Sequence, residues 1–180
     1  MTDDDIKAIH KCTALSDDFL AEIGRITAHF ALLENDLISL AHTLLNVPEN
    51  IAMTVTSELS FRALQNLVAS LVKDLISEES DRLAVILKNV GKAEERRNQV
   101  SHSLWGAALS KAPEEHKVVR TKYSAKQKKG LHFAREELTV PDLYAIARDI
   151  SIAAYDVEKF NFSIIRTLSE RRLQSKAHII

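Results

Sequence analysis

The sequence predicts an all-α fold: an up-down four-helix bundle with a β-hairpin inserted between the third and fourth long helices. Three observations predict it. Glycine and proline are scarce, at 4 and 3 of 180 residues, which favours long helices over an all-strand fold. Apolar residues recur at helical spacing along most of the chain. One segment before the last helical stretch alternates instead, around a lysine-rich turn.

The first long helix is predicted to begin after Ser16, a good capping residue, with Asp17 and Asp18 in its first turn. Its apolar face repeats at alternating steps of three and four residues, as in a bundle helix. The members of this face are Phe19, Ile23, Ile26, Phe30, Leu33, Leu37, Leu40 and Leu44. The segment NVPEN at 46–50 ends the helix. Residues 1–15 are predicted to be a flexible lead-in.

A second helical region is predicted over 51–76, with a break near the segment SELSFR. The segment SEESD at 77–81 is predicted to be a turn that starts the third helix. The third helix is expected to bury one apolar face. The members of that face are Leu83, Ile86, Val90, Ala93, Val100 and Leu104.

The hairpin is predicted over 116–138, with its turn closing on Gly130. Thr139, Pro141 and Asp142 then form a capping signature for the last helix. The apolar face of that helix is Leu143, Ile146, Ile150, Ala153, Val157, Phe160, Ile164 and Leu168. A single domain over 16–170 follows, with a C-terminal tail over 171–180.

Composition narrows the functional classes. The net charge is −1, and the single Cys12 makes no internal disulfide. The acidic first ten residues do not resemble a signal peptide, and no apolar run has the length of a membrane span. We therefore expect a cytoplasmic protein with no membrane partner. No Glu has a His three residues later, and HExxH is absent, so no metal or other cofactor is predicted.

The third helix carries a polar cluster where a core face is expected. Arg97 lies seven residues after one core position and seven before another, so it shares their face. Those positions are Val90 and Leu104. A guanidinium keeps its proton and is costly to bury alone, so an anion is expected to meet it. Glu34 on the first helix is the candidate within the chain, and a phosphate is the candidate outside it.

The neighbours of Arg97 admit two interpretations. Asn98 and His102 are four residues apart and share a polar strip with Glu95. In one interpretation, Arg97, Glu34 and His102 form a structural network within a non-catalytic module that binds a partner or ligand. In the other, the same side chains bind and process a phosphate group.

The segment RNQVSH at 97–102 resembles the signature of the HEPN superfamily: Arg, a polar residue, a short spacer and then His on a helix of a small bundle. Many members of that superfamily are metal-independent endoribonucleases, often toxins or defence effectors, while others are binding or dimerisation modules. The resemblance implies a homodimer whose two motif helices face each other across an RNA phosphate. An antitoxin or another protein is a further expected partner.

The chemistry is consistent with that resemblance. RNA cleavage without metal requires a base, an acid and a cation for the charge on phosphorus. His102 is the predicted base or acid, because imidazole changes protonation near neutral pH. Arg97 is predicted to stabilise the phosphorane, and Asn98 to orient the histidine or the phosphate. The residues expected to support the site are Glu34, Glu95 and Ser101.

The hairpin is strongly basic. Seven Lys and Arg residues and no acidic residue lie between His116 and Arg135, so the rest of the chain carries −8 (−1 minus 7). Such asymmetry is typical of a nucleic-acid contact. The predicted RNA-binding residues are Arg96, Lys117, Arg120, Lys122, Lys126, Lys128, Lys129 and Arg135. Alternatively, lysines on an exposed hairpin protect its edge against aggregation.

Overall fold

A computed structural model describes residues 15–107, 118–126 and 130–177 of the chain, with side chains over 15–106, 119–121 and 135–174. Most of the predicted lead-in (1–14) and three of the predicted RNA-binding residues lie outside the described residues; these are Lys117, Lys128 and Lys129. Among the described helices, none combines the length and apolar character that a membrane crossing requires.

The described chain is mostly helical, as predicted, with five α-helices and a small antiparallel sheet. The helices are α1 (Asp17–Leu45), α2 (Glu49–Thr56), α3 (Phe61–Leu75), α4 (Ser80–Ser101) and α5 (Val140–Ala177), and a 3₁₀ turn spans Ser77–Glu79. The strands are β1 (Leu104–Ala107), β2 (Val118–Lys126) and β3 (Gly130–Leu138). The predicted break in the second helical region is confirmed between α2 and α3.

The first helix has the predicted ends. The Ser16 carbonyl accepts a hydrogen bond from the Leu20 backbone N–H at 3.1 Å. At the other end, Asn46 adopts a left-handed φ of 50° and donates its backbone N–H to the His42 carbonyl at 3.1 Å. A residue in the left-handed conformation ends many helices, and asparagine adopts this conformation more readily than most residues.

The described residues divide into two compact units. Residues 29–93 and 150–177 belong to one of them, which we call the core unit. Its interior is apolar, with Leu37, Val72 and Phe160 all fully buried. The rings of Phe30 and Phe61 lie 4.7 Å apart at 45°. Helix–helix packing of this kind provides most of the stability of a helical domain.

The last helix extends past residue 171, where the C-terminal tail was expected to start, and reaches Ala177. Its end is held within the core unit by polar contacts. Arg171 donates to the Leu75 carbonyl at 2.9 Å and pairs with Glu78. Leu75 is the last residue of α3. Its carbonyl has no partner within that helix, and a cation such as Arg171 can satisfy it. These contacts fix the last helix to the core unit at Arg171.

Residues 15–28 and 94–149 belong to the second unit, which we call the sheet unit. Its strands lie in the order β1-β2-β3, and both pairings are antiparallel. The predicted capping signature lies between the end of β3 and the start of α5. The Thr139 backbone N–H donates to the Asp142 carboxylate at 2.8 Å, and the Asp142 N–H donates back to the Thr139 hydroxyl at 3.4 Å.

The end of the predicted third helix is wrong. The helix stops at Ser101, and Leu104 begins β1 with 66% of its surface exposed. Leu104 pairs with Thr121 across the β1–β2 ladder, so its backbone belongs to a strand pairing with a segment that is distant in sequence, not to the helix. The predicted two-stranded hairpin is therefore part of a three-stranded sheet.

Candidate functional site

The RNxxxH motif lies at the C-terminal end of α4 within the sheet unit. Arg97 and Asn98 are in its last turns, and His102 is the first residue after the helix. The His102 backbone N–H donates to the Asn98 carbonyl at 3.1 Å, which continues the helical hydrogen-bond pattern by one residue. The motif therefore joins a rigid helix end to an exit turn.

The three residues differ in exposure. Arg97 and Asn98 are half-buried, and His102 is exposed. The Nε atom of Arg97 is shielded from solvent, as expected of a residue that shares a face with buried Val90. The position seven residues later is not buried, because Leu104 has left the helix. The predicted core face is therefore buried on both sides of Arg97 as far as Val100, and it ends there.

The three residues predicted to support the site belong to different units. Glu95 and Ser101 are exposed on α4, in the same unit as the motif. Glu34 is half-buried on α1 and belongs to the core unit. Its pairing with Arg97 stays a prediction.

A buried arginine from the sheet lies against the end of α4. Arg120 has 7% of its surface exposed and occupies the central strand β2. Its Nη1 donates to the Gln99 carbonyl at 3.1 Å and to the Ser103 hydroxyl at 3.3 Å. Its Nε donates to Glu136 at 3.1 Å, and its Nη2 forms an ion pair with the same carboxylate oxygen. A planar guanidinium suits this fixed set of acceptors.

The network continues along the surface of α4. Arg96 lies 3.8 Å from the other oxygen of Glu136 and donates to the Gln99 side chain at 3.1 Å. The Gln99 amide in turn donates to the Glu95 carboxylate at 3.2 Å. Two predicted site residues, Arg96 and Glu95, are thus tied to the same cluster as Arg120.

These contacts cap the motif helix. The last carbonyls of an α-helix have no partner within the helix. Here the Gln99 carbonyl accepts from Arg120 and from the Ser103 hydroxyl, the latter at 2.5 Å. The Val100 carbonyl accepts from the indole N–H of Trp105 at 3.1 Å. Residues of the sheet therefore perform the role that a glycine has at many helix ends.

The basic hairpin is not uniform. Arg120, predicted to contact RNA, is directed inward and paired with a carboxylate. Arg135 is exposed, and the backbones of Lys122 and Lys126 lie in β2. The contribution of these residues to RNA binding stays a prediction. The sequence contains a signal for the Arg120–Glu136 pair. A hairpin whose second strand begins at Gly130 brings position 120 opposite position 136.

A second charged feature of the sheet unit is Asp142. The hydrogen bonds that it accepts from the Thr139 hydroxyl and backbone, together with the charge of Arg96, hold the pKa of this carboxyl below its usual 3.8. An anionic side chain in the first turn also interacts favourably with the helix dipole of α5. Asp142 therefore stabilises the start of α5 in its charged form.

One buried carboxylate in the same unit, Glu22, is not among the predicted site residues. Glu22 on α1 is only 8% exposed and lies 3.6 Å from Arg25. The Arg25 guanidinium is also 5.9 Å from the centre of the Tyr144 ring, within the range of a cation–π contact. Glu22 lies three residues after Phe19 and four before Ile26, which are both buried. That spacing was the signal.

Comparison of the chain with protein-family models, with curated proteins and with solved structures finds no match. Among the described residues, no group of three or more His, Cys, Asp and Glu side chains is placed to hold a metal ion.

Proposed function

We propose that this chain is a HEPN-like RNA-binding protein of the cytoplasm that cleaves RNA without a metal ion, as a toxin or defence endoribonuclease. The proposal includes an up-down arrangement of the long helices and a homodimer that brings two RNxxxH motifs to one RNA phosphate. The observation that carries it is the exposure of His102 directly beyond the helix end that holds Arg97 and Asn98.

The reaction is an internal transfer on phosphorus. The 2′-oxygen of the ribose attacks the adjacent phosphorus while a base removes its proton, and the bond from phosphorus to the 5′-oxygen breaks. An acid returns a proton to that oxygen, so the products are a 2′,3′-cyclic phosphate and a 5′-hydroxyl. The imidazole of His102 serves as base or acid, because it exchanges protons near neutral pH. Two copies in a dimer supply both roles.

The other motif residues act on charge and orientation. Arg97 is permanently charged and presents a planar fork to the phosphate oxygens. Its stabilisation of the dianionic phosphorane strengthens as charge develops, and such interactions commonly provide most of a catalytic effect. Asn98 precedes His102 by one helical turn and orients the imidazole or the phosphate.

The rival function is a non-catalytic module in which Arg97, Glu34 and His102 form an internal network. That reading requires His102 to be occupied within the protein. The exposed position of His102 supports the catalytic reading instead.

Purified protein incubated with total RNA in excess EDTA distinguishes the two. We expect discrete fragments from the parent chain and none from His102→Ala. Asn89→Ala is the matched control, because Asn89 is an exposed polar residue of the same helix. Fragments that accept phosphate at their 5′ ends from a kinase confirm the predicted 5′-hydroxyl. Equal cleavage by His102→Ala and the parent removes the catalytic reading.

The oligomeric state tests the second part of the proposal. Sedimentation of the parent should give the mass of two 20.2 kDa chains. An active protein that sediments as one chain refutes the shared site while leaving the ribonuclease reading in place.

A further inference from the structure

We propose that Arg120 and Glu136 are positioning residues for the His102 site, acting through the last turn of α4. This inference rests on the proposed function. Neither residue is expected to touch RNA: Arg120 is buried, and its fork is occupied by acceptors within the protein. The inference assigns to the hairpin a role that is separate from RNA binding.

The acceptors of Arg120 lie on both sides of His102. The Gln99 carbonyl is three residues before the histidine, and the Ser103 hydroxyl is one residue after it. A single nitrogen, Nη1, donates to both. The Ser103 hydroxyl also donates to the Gln99 carbonyl, so the segment 99–103 is closed into a ring of contacts around the residue that carries the imidazole.

The guanidinium is itself held from the opposite side. Its Nε and Nη2 bind one oxygen of Glu136, which lies directly opposite Arg120 in the β2–β3 ladder. Trp105 pairs with Arg120 across the β1–β2 ladder and donates its indole N–H to the Val100 carbonyl. All three strands therefore contribute to the geometry of one helix end.

We call the contacts of Arg120 with Gln99, Ser103 and Glu136 the clamp. Loss of the clamp would lower the reaction rate by displacing the imidazole of His102. His102 is held to the helix by one backbone hydrogen bond to the Asn98 carbonyl. Helix ends fray readily when their carbonyls lose partners. Misplacement of a reacting group by about 1 Å can cost about 100-fold in rate. We therefore expect the clamp to act on kcat, while RNA affinity depends on the exposed cations.

Three variants separate positioning from plain stability. Arg120→Lys keeps the charge but loses the planar fork. The exchange variant Arg120→Glu/Glu136→Arg keeps a cross-strand ion pair at the same two positions while removing the donor to Gln99 and Ser103. Arg148→Ala is the matched control, because Arg148 is an exposed arginine of the same unit to which no role in the site is assigned.

The expected result is a split between kcat and KM. Arg120→Lys should lower kcat by about 10- to 100-fold with KM within about twofold of the parent. The exchange variant should recover the melting temperature lost by Arg120→Glu alone, but not kcat. Arg148→Ala should leave both kcat and KM unchanged. The imidazole resonances of His102 should shift in Arg120→Lys and stay in place in Arg148→Ala.

Two outcomes overturn the inference: Arg120→Lys with unchanged kcat, or an exchange variant that recovers kcat together with its melting temperature. If the parent cleaves no RNA, the proposed function fails, and the resonances of His102 then decide the positioning role alone. Unchanged resonances in folded Arg120→Lys refute it, and displaced ones confirm that the sheet positions the imidazole.

Discussion

The loss of Arg120 and the loss of its ion-pair partner Glu136 should destabilise the sheet unit by different amounts. The Arg120 side chain is 9% exposed and that of Glu136 is 37% exposed. Glu136→Gln leaves a permanent charge buried without its carboxylate. Arg120→Met leaves a carboxylate that water reaches, with Arg96 3.8 Å away. We expect Glu136→Gln to be the more destabilising change.

The magnitudes follow from burial. Removing one partner of a buried ion pair costs about 3–5 kcal/mol. The Gln99 carbonyl and the Ser103 hydroxyl still accept from Arg120, which reduces the cost of Glu136→Gln to about 2–3 kcal/mol. Methionine refills the volume of Arg120, and the Gln99 carbonyl keeps the Ser103 hydroxyl as donor, so Arg120→Met should cost about 1 kcal/mol.

Thermal unfolding measures both costs. A change of 1 kcal/mol moves the midpoint of a chain of this size by about 2–4 °C, so about 4–12 °C is expected for Glu136→Gln and about 2–4 °C for Arg120→Met. Trp105 is the single tryptophan of the chain and lies in this unit, so its fluorescence reports the transition. The double variant should melt above Glu136→Gln, because the stranded charge is gone. A double variant that melts at the sum of both losses refutes the reasoning.

Three further predictions concern other parts of the chain. Because its hydrogen bonds from Thr139 hold the pKa of Asp142 below 3.8, Asp142→Ala should lower the melting temperature at pH 7 by about 2–4 °C, and this difference should close as the pH falls below 3.8 and through the folded-state pKa. Burial raises the pKa of Asp36 above 3.8, so its charged form costs stability at neutral pH; Asp36→Asn should raise the melting temperature at pH 7, with a gain that shrinks as the pH falls toward 3.8. Leu83 is 2% exposed and Leu104 is 66% exposed, so truncation to alanine should cost about 2–5 kcal/mol at the first position and less than about 0.5 kcal/mol at the second in urea unfolding.

A different result would contradict each of these three predictions. A loss for Asp142→Ala that persists at low pH would assign the effect to something other than the charged cap. Asp74 is exposed, and an equal gain from Asp74→Asn would make the Asp36 effect one of net charge alone. Comparable costs at Leu83 and Leu104 would place residue 104 in a buried helical face.

The helices were predictable because their signals are local. Alternating apolar spacing placed α1, and the Thr139–Asp142 signature placed the start of α5 to within a residue. Such patterns depend on side chains three or four residues apart, whose relation is set by helical geometry alone. The left-handed turn at Asn46 is local chemistry of the same kind.

The end of α4 was not predictable by the same means. The seven-residue spacing from Val90 through Arg97 continues to Leu104, yet the helix ends at Ser101. What ends it is pairing of 104–107 with β2, whose partners Thr121 to Val118 lie more than ten residues away. Periodicity carries no information about a partner strand.

The position of His102 was predicted only in part. Spacing placed Arg97, Asn98 and His102 on one continuous helix, whereas His102 lies in the turn that follows α4. A helical phase argument assigns a face to a residue, and it fails where the helix has ended. The exposure of His102 therefore depends on the same strand pairing that removes Leu104 from the helix.

The register of the ladder separates two arginines of the basic segment. Counting charges treats its arginines alike, but Arg120 pairs across the ladder with Glu136, and the next register pair is Thr121 with Arg135. Successive residues of a strand point to opposite faces of the sheet. Arg120 therefore faces the end of α4, and exposed Arg135 lies on the other face, so the proposed positioning role of Arg120 and the predicted RNA contact of Arg135 belong to opposite faces of the sheet.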